Sequence, residues 1–325
     1  MNVGRLIPTT AVAGAAALGL MAVSACSTSG PAERSADGKL KVVASFYPMQ
    51  YLAQEIGGSH VSVSTLTQPG VEPHDLELKP RQTAALNEAG FILYLQGVQP
   101  AVDDAIAESE VEHKVDAATL TTLEDHGAEG GHDHGHEERA EEGHEGEGHA
   151  HEGGDPHIWL DPVKYAEVAK GVGDRLATAD PDHAADYKKN TDALVTKLTA
   201  LDTGFEQGLK NSATKTFITT HSAFGYLAER YGLDQEGIAG LDPENEPSPA
   251  RIKEIQAIAK KDKVTTVFFE TLASDRTAKT LAADTGLKTD VLDPLEGITD
   301  QSQGRDYIEV MRSNLAALQK ALGSR

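Results

Sequence analysis

The chain has 325 residues, 39% of them hydrophobic, 25% charged and only 5% aromatic, a composition that fits one large or two ordinary globular domains and excludes an all-membrane or wholly disordered chain. With 51 acidic residues against 29 basic ones the net charge is −22, which repels nucleic-acid phosphates and anionic lipid headgroups and leaves cations as the natural partners. Its single cysteine, Cys26, excludes an intramolecular disulfide and any thiolate cage, so a metal site must be built from nitrogen and oxygen.

Residues 1–25 read as an export signal. Arg5 forms a short positive region, Leu6 to Val23 are apolar apart from Pro8 and a few small or polar residues, and the small Ser24 and Ala25 precede Cys26. The run Val23-Ser24-Ala25-Cys26 resembles the bacterial lipobox, in which cleavage precedes the cysteine and its sulfur receives a diacylglycerol. Cys26 is therefore expected to be lipidated and residues 26–39, rich in Ser, Gly, Pro and Ala, to be a flexible tether. No later run approaches the ~20 apolar residues that span a bilayer. The expectation is an exported body, lipid-anchored at the outer face of the cytoplasmic membrane.

From Leu40 onward the pattern predicts a strand (Leu40 to Ser45), a helix (Met49 to Ile56), a strand (His60 to Thr67), a helix (Pro80 to Ala89) and a strand (Phe91 to Leu95). Such alternation predicts parallel sheets covered by helices on both faces. A second copy begins near Lys215, with a strand over Phe217 to Thr220, helices over Ala223 to Tyr231, Ala250 to Lys260 and Arg276 to Thr285, and strands over Val264 to Glu270 and near Val291. Aligning Val43 with Ile218, an offset of 175, superposes Tyr51-Leu52-Ala53 on Tyr226-Leu227-Ala228 and Gly57 on Gly232, as expected of a duplication. Between the copies, Leu194, Leu198, Leu201, Phe205 and Leu209 mark one face of a helix over 182–210, about 40 Å long. The fold class predicted is thus α/β, with two pseudo-symmetric lobes (40–181 and 211–325) of mainly parallel sheets joined by a long rigid helix. Their cleft is the natural ligand site.

Residues 124–152 break the pattern. They hold seven of the 13 histidines (His126, His132, His134, His136, His144, His149 and His151) among eleven acidic residues and one Arg. With no apolar period, this stretch reads as a solvated loop without fixed structure, and its His-Asp and His-Glu pairs as a loose metal-gathering device.

Four other places carry chemistry. They are Glu72-Pro73-His74-Asp75, Asp155-Pro156-His157 with Ile158-Trp159-Leu160-Asp161-Pro162, Thr220-His221-Ser222, and Leu292-Asp293-Pro294-Leu295-Glu296. Each follows a predicted strand or the acidic loop, and ligands of open parallel sheets sit beyond the carboxyl ends of strands. Three imidazoles and a carboxylate complete a tetrahedral zinc shell. His60, His113 and His183 are expected to be ordinary exposed or hydrogen-bonded histidines, and Asp293 before Pro294 also suits a turn. No His-Glu-x-x-His helix, Gly-x-Ser-x-Gly elbow or phosphate-cradling glycine loop is found.

Taken together, the lipobox, Pro-His-Asp-Leu-Glu-Leu-Lys-Pro from Pro73, Asp-Pro-His-Ile-Trp-Leu-Asp-Pro from Asp155, the acidic His-rich stretch and Thr-His-Ser-Ala-Phe-Gly-Tyr-Leu from Thr220 resemble the metal-specific (cluster A-I) solute-binding lipoproteins of bacterial zinc ABC importers. The resemblance runs from Leu40 to the C-terminus. It implies a monomeric, non-enzymatic protein that captures Zn2+, rather than manganese, between two lobes and passes it to an ABC permease. It implies His74, His157 and His221 as ligands, His221 standing where manganese-binding members carry a carboxylate, and Asp293 as the fourth, with Glu296, Glu72 or water as substitutes. A zinc hydrolase, or an extracellular metal buffer or adhesin without a permease, is the competing reading.

Overall fold

The computed structural model describes Met1, residues 32–126 and residues 154–324. Residues 2–31, with the expected signal and the expected lipidation site Cys26, and His132, His134, His136, His144, His149 and His151 lie outside the described residues. Among the described residues no helix is long and apolar enough to cross a membrane.

Two four-stranded parallel sheets form the frame. The first holds β1 (Leu40–Ala44), β2 (Val61–Thr65), β3 (Phe91–Tyr94) and β4 (Lys114–Asp116) in the order β2-β1-β3-β4, with α1 (Tyr47–Gly57), α2 (Pro80–Asn87) and α3 (Pro100–Glu108) between them. Two long helices follow, α4 (Pro162–Ala179) and α5 (Ala184–Leu209). The second sheet holds β5 (Thr216–Thr219), β6 (Asp234–Gly237), β7 (Thr266–Phe269) and β8 (Lys288–Val291) in the matching order β6-β5-β7-β8. Its helices are α6 (Gly225–Tyr231), α7 (Pro249–Lys261) and α8 (Arg276–Thr285), and α9 (Tyr307–Leu322) ends the body.

The offset of 175 residues proposed from the sequence is visible in the strand register. Val43 pairs with Ile92 as Ile218 pairs with Val267, and Ile92 pairs with Lys114 as Val267 pairs with Thr289, so three strands of each sheet keep one offset. The fourth departs from it, since Val43 faces Ser64 but Ile218 faces Glu236. The turn after the first helix departs as well. Gly232 closes α6 with φ 61°, but its counterpart in the first sheet is Gly58 (φ 54°), not Gly57. Gly57 is needed for another reason: a Cβ there would meet Val61 at 2.3 Å.

Alternation along the central strands decides where the core lies. Leu40, Val42 and Ala44 of β1, Phe91 and Leu93 of β3, Phe217 of β5 and Phe268 of β7 all join one apolar cluster with α1, α4, α5 and α9. Their alternating neighbours turn outward, Val43 and Ile92 into a small cluster with α3, Ile218 and Val267 into another with Ile255 and Leu281. Strands buried on both faces are what parallel sheets under helices require. Both sheets therefore share one core. The stripe Leu194, Leu198, Leu201, Phe205 and Leu209 on α5 is buried in it, and the helix, 26 residues long, extends about 39 Å. It starts two residues later than its sequence pattern because Pro181–His183 forms a separate 3-10 turn.

Chain entry into helices is set by proline. Prolines occupy the first turn of α1, α2, α3, α4 and α7, where the missing N–H would have had no partner anyway. Asp161, Ser248 and Asp306 cap α4, α7 and α9 by accepting a bond from the first turn. Gly173 lets α4 approach α5, since a Cβ at that position would lie 2.3 Å from Thr191 Oγ1. Gly173→Ala is expected to force the pair apart and destabilise the body by about 1–3 kcal/mol, read as a lower urea midpoint.

Candidate metal centre

Four segments deliver side chains to the space between the sheets. His74 lies in the loop from β2 to α2, whose flanking Leu76 and Leu78 pack on the outer cluster of the first sheet. Buried Gln99 clamps that loop by donating to Pro73 O at 3.2 Å and Thr67 Oγ1 at 2.8 Å. His157 leads into a fully buried 3-10 turn, Ile158–Leu160. There Trp159 Nε1 donates to Pro294 O (2.7 Å), and Tyr307 Oη donates to Trp159 O (2.6 Å), so the turn is tied to the segment that bears Glu296. His221 follows β5 directly. Its carbonyl accepts from Thr219 Oγ1 at 2.6 Å and from Gln235 Nε2 at 3.1 Å.

The three imidazoles converge on a single carboxylate oxygen. Glu296 Oε1 lies 3.4 Å from His74 Nε2, 3.2 Å from His221 Nε2 and 3.5 Å from His157 Nε2. The ring centroids are 5.6 to 6.3 Å apart. His157, His221 and Glu296 are at most 1% exposed, and the side chain of His74 is 8% exposed. His157 Nε2 and Glu296 Oε2 are buried without a hydrogen-bond partner. Buried polar atoms left unpaired cost free energy, and a divalent cation is the species that would satisfy an imidazole nitrogen and a carboxylate oxygen together.

Two further carboxylates orient the rings. Asp155 Oδ1 receives both the His157 backbone N–H (2.9 Å) and Nδ1 (2.7 Å), and Glu270 Oε1 lies 2.8 Å from His221 Nδ1. In each case the carboxylate favours the proton on Nδ1, so that in the neutral ring the Nε2 lone pair faces the centre. Burial alone would lower both imidazoles, but Asp155 and Glu296 outweigh it and raise His157 above its ordinary value of 6.5. Glu270 and Glu296 raise His221 well above that value. Burial pushes Glu296 up, yet His221, His157 and His74 together hold it well below the usual carboxylate range. Burial raises Glu72, with His74 opposing and Glu296 adding to the rise.

Asp293, the fourth ligand expected from the sequence, does not join the cluster; Glu296 does. Asp293 is spent on the turn. Its Oδ1 accepts the Leu295 N–H (2.8 Å), its Oδ2 accepts from Thr271 Oγ1 (3.3 Å), and Asn314 brackets its backbone at 3.0 and 2.7 Å. Leu295 then takes φ 59°, a left-handed value costly for a bulky non-glycine residue, and this bend precedes Glu296. Burial pushes Asp293 up to about 6. Sequence reasoning also missed Asp155 and Glu270 as orienting groups; the available signal was an acidic residue beside His157 and another at the carboxyl end of β7.

His126 departs from its expected place in a loose loop. Its Nδ1 lies 2.8 Å from Asp155 Oδ2 and its Nε2 2.9 Å from Glu229 Oε2, so it is fastened to the body. Glu124 O accepts the Asp155 N–H at 2.9 Å, which closes the chain across the base of the His-rich segment. His60 and His183 are hydrogen-bonded as expected, to Asp186 (2.9 Å) and Asp180 (2.8 Å).

Comparison with known proteins agrees with this architecture. The family described as zinc-uptake complex component A periplasmic (ZnuA) matches residues 42–321. The high-affinity zinc uptake system protein ZnuA of Bacillus subtilis is 38% identical over 309 residues, 92% of this chain and 93% of the relative. The zinc-binding lipoprotein AdcA of Streptococcus pneumoniae is 37% identical over 295 residues, 89% of this chain, but the chain spans only 57% of AdcA. The crystal structure of Zn(II)-bound AdcA from Streptococcus pneumoniae superposes with TM-score 0.72 at 33% identity, over 89% of this chain and 59% of that one. The chain therefore belongs to the ZnuA family, and its two-lobed α/β fold is that family's fold.

Proposed function

We propose that the chain captures Zn2+ outside the cytoplasm, holds it on His74, His157, His221 and Glu296, and passes it to an ABC permease in the cytoplasmic membrane. The observation that carries this reading is the convergence of three Nε2 atoms on Glu296 Oε1 within a buried centre. Three neutral imidazoles and one carboxylate cancel one of the two charges of the ion and match the ligand types zinc takes in tetrahedral sites. A nitrogen-rich set disfavours manganese, which stands low in the affinity order. Copper is not rejected by affinity, so geometry and availability must discriminate against it.

A hydrolytic reading would leave a coordination position for water. Glu296 fills that position, which favours storage and transfer over turnover. Export and anchoring complete the proposal, with residues 1–25 as signal, Cys26 as the lipidated residue, and the His-rich segment as a weak gatherer of ions for a monomeric body; the tether expected over 26–39 is shorter than that, since Arg34 is already fastened to the body through Asp180 at 2.7 Å and through a bridge to Leu40. The relatives' names, a zinc uptake protein and a zinc-binding lipoprotein, support this reading over a buffer or adhesin that meets no permease. Failure of a deletion strain to grow when zinc is scarce is expected, and normal growth there would remove the transport step.

Glu296→Gln and Asp293→Asn separate the two candidate fourth ligands. Zinc affinity, measured by competition with a chromophoric chelator, is expected to fall at least 100-fold in the first, since even outer-shell changes cost 10–100-fold, and by under tenfold in the second. Reversal of that order would transfer the role to Asp293.

Affinity is also expected to depend on pH with a definite sign. His157 and His221 hold protons at higher pH than ordinary histidine, and zinc must displace them. In the ion-free protein these raised groups contribute stability in full below 6.5, lost as pH rises through their folded values. The thermal stabilisation given by zinc is therefore expected to shrink as pH falls, starting above 6.5. A zinc-induced shift constant from pH 8 to 5.5 would contradict this.

A further inference from the structure

We propose that the cavity beyond the carboxyl ends of β5 and β7 is a binding site for a small alkylammonium ion, with the buried Oε2 of Glu270 as its anchor. The cavity holds about 520 Å³ and takes in Thr220 and Glu270, the residues that directly follow those two strands. In the order β6-β5-β7-β8 the chain leaves β5 for β6 on one side and β7 for β8 on the other, so β5 and β7 flank the switch point at which open parallel sheets receive ligands. A volume of this size lies in the range of small-molecule sites.

Glu270 offers one free acceptor. Its Oε1 is taken by His221 Nδ1 at 2.8 Å and by Thr220 Oγ1 at 2.5 Å, whereas Oε2 is buried without a hydrogen-bond partner, in a residue only 4% exposed. An unpaired buried carboxylate oxygen costs free energy that a donor recovers. A single oxygen suits the point charge of an ammonium group, while the planar fork of a guanidinium calls for both oxygens of a carboxylate. The first lobe repeats the strands but not this group, since the 175-residue offset sets the buried Leu95 where Glu270 stands. One site per chain follows.

The rest of the lining fits a cation on an apolar stem. Ile238, Ile252 and Leu281, which also pack in the outer cluster of the second sheet, contribute apolar surface, and Glu244, Glu246 and Asp284 are exposed around it. With Glu270 these make four carboxyl groups against a single cationic side chain, Arg276, so an anionic ligand is disfavoured. Occupancy also reaches the metal centre. The carboxylate that accepts from an ammonium on Oε2 is the one that orients His221 through Oε1, and a second positive charge behind that ring opposes zinc. Each occupant therefore weakens the other, reciprocally. Only this coupling rests on the function proposed above; the ammonium site stands on its own residues.

Calorimetric titration of the zinc-free full chain with diaminobutane at neutral pH tests the site. One saturable site per chain is expected, with none for the uncharged butanediol or for inorganic phosphate, and soaked crystals are expected to place an amine nitrogen about 2.7–2.9 Å from Glu270 Oε2. Thr277→Trp, which fills the cavity from α8, is expected to abolish diaminobutane binding while keeping zinc affinity within about threefold, a retention that shows the variant to be folded. Water alone on Oε2, equal binding of butanediol, phosphate in place of the amine, or undiminished binding by Thr277→Trp, which would put the probe elsewhere on the acidic surface, each overturns the proposal. Under saturating diaminobutane, zinc affinity measured by chelator competition is expected to fall about fivefold or more, and to hold steady in Thr277→Trp. An unchanged affinity in the unaltered chain overturns the coupling alone, and absence of tight zinc binding beside intact diaminobutane binding overturns the function and leaves the ammonium site.

Discussion

A shared apolar core between the two sheets is the constraint on which the rest depends. Phe91 and Leu93 from one sheet and Phe217 and Phe268 from the other belong to the same cluster as the stripe of α5. With the sheets fixed in this way, the segments that follow β2, β5 and β8 end on a common space, together with the turn at His157. A cluster assembled from residues 74, 157, 221 and 296 has no local stabilisation of its own. It stands because separating the sheets would expose Trp159, Tyr165 and Tyr307, all fully buried, at roughly 25 cal/mol for each Å² of apolar surface.

The same economy of roles recurs around the centre. Acidic residues do three different jobs within a few ångströms. Glu296 faces the imidazole nitrogens, Asp155 and Glu270 set the tautomers from behind, and Asp293 only shapes the turn. Their environments separate them: Glu296 among imidazoles is held low, while Asp293 is raised by burial, with the Glu296 charge adding to the rise.

Much of the frame was legible because the strands β1, β3, β5 and β7 are apolar on both faces and α5 carries an unbroken stripe. β6 escaped notice: its sequence Asp-Gln-Glu-Gly has no apolar or β-branched residue, and its place at the sheet edge lets it be polar. α4 was also missed; Gly171 and Gly173 interrupt its pattern, and they are there for close contact with Leu120 and Thr191. At the site, the histidines were readable from motifs. The choice between Asp293 and Glu296 was not, because it turns on the left-handed backbone of Leu295, which no local signal announces. His126 looked like one of seven equivalent loop histidines; partners at 155, 225, 226 and 229 single it out, and sequence distance hides them.

The four donors are unequal in their access to water, and this sets a direction for exchange. His157, His221 and Glu296 are enclosed, whereas His74 retains partial contact with solvent and sits on a loop held by Gln99 and by the packing of Leu76 and Leu78. In the proposed centre an incoming or departing ion would make or break its bond to His74 last or first, the other three acting as a fixed tripod. Unloading then needs the swing of one arm rather than the parting of the two halves, so its rate would be governed by the local opening of a short loop.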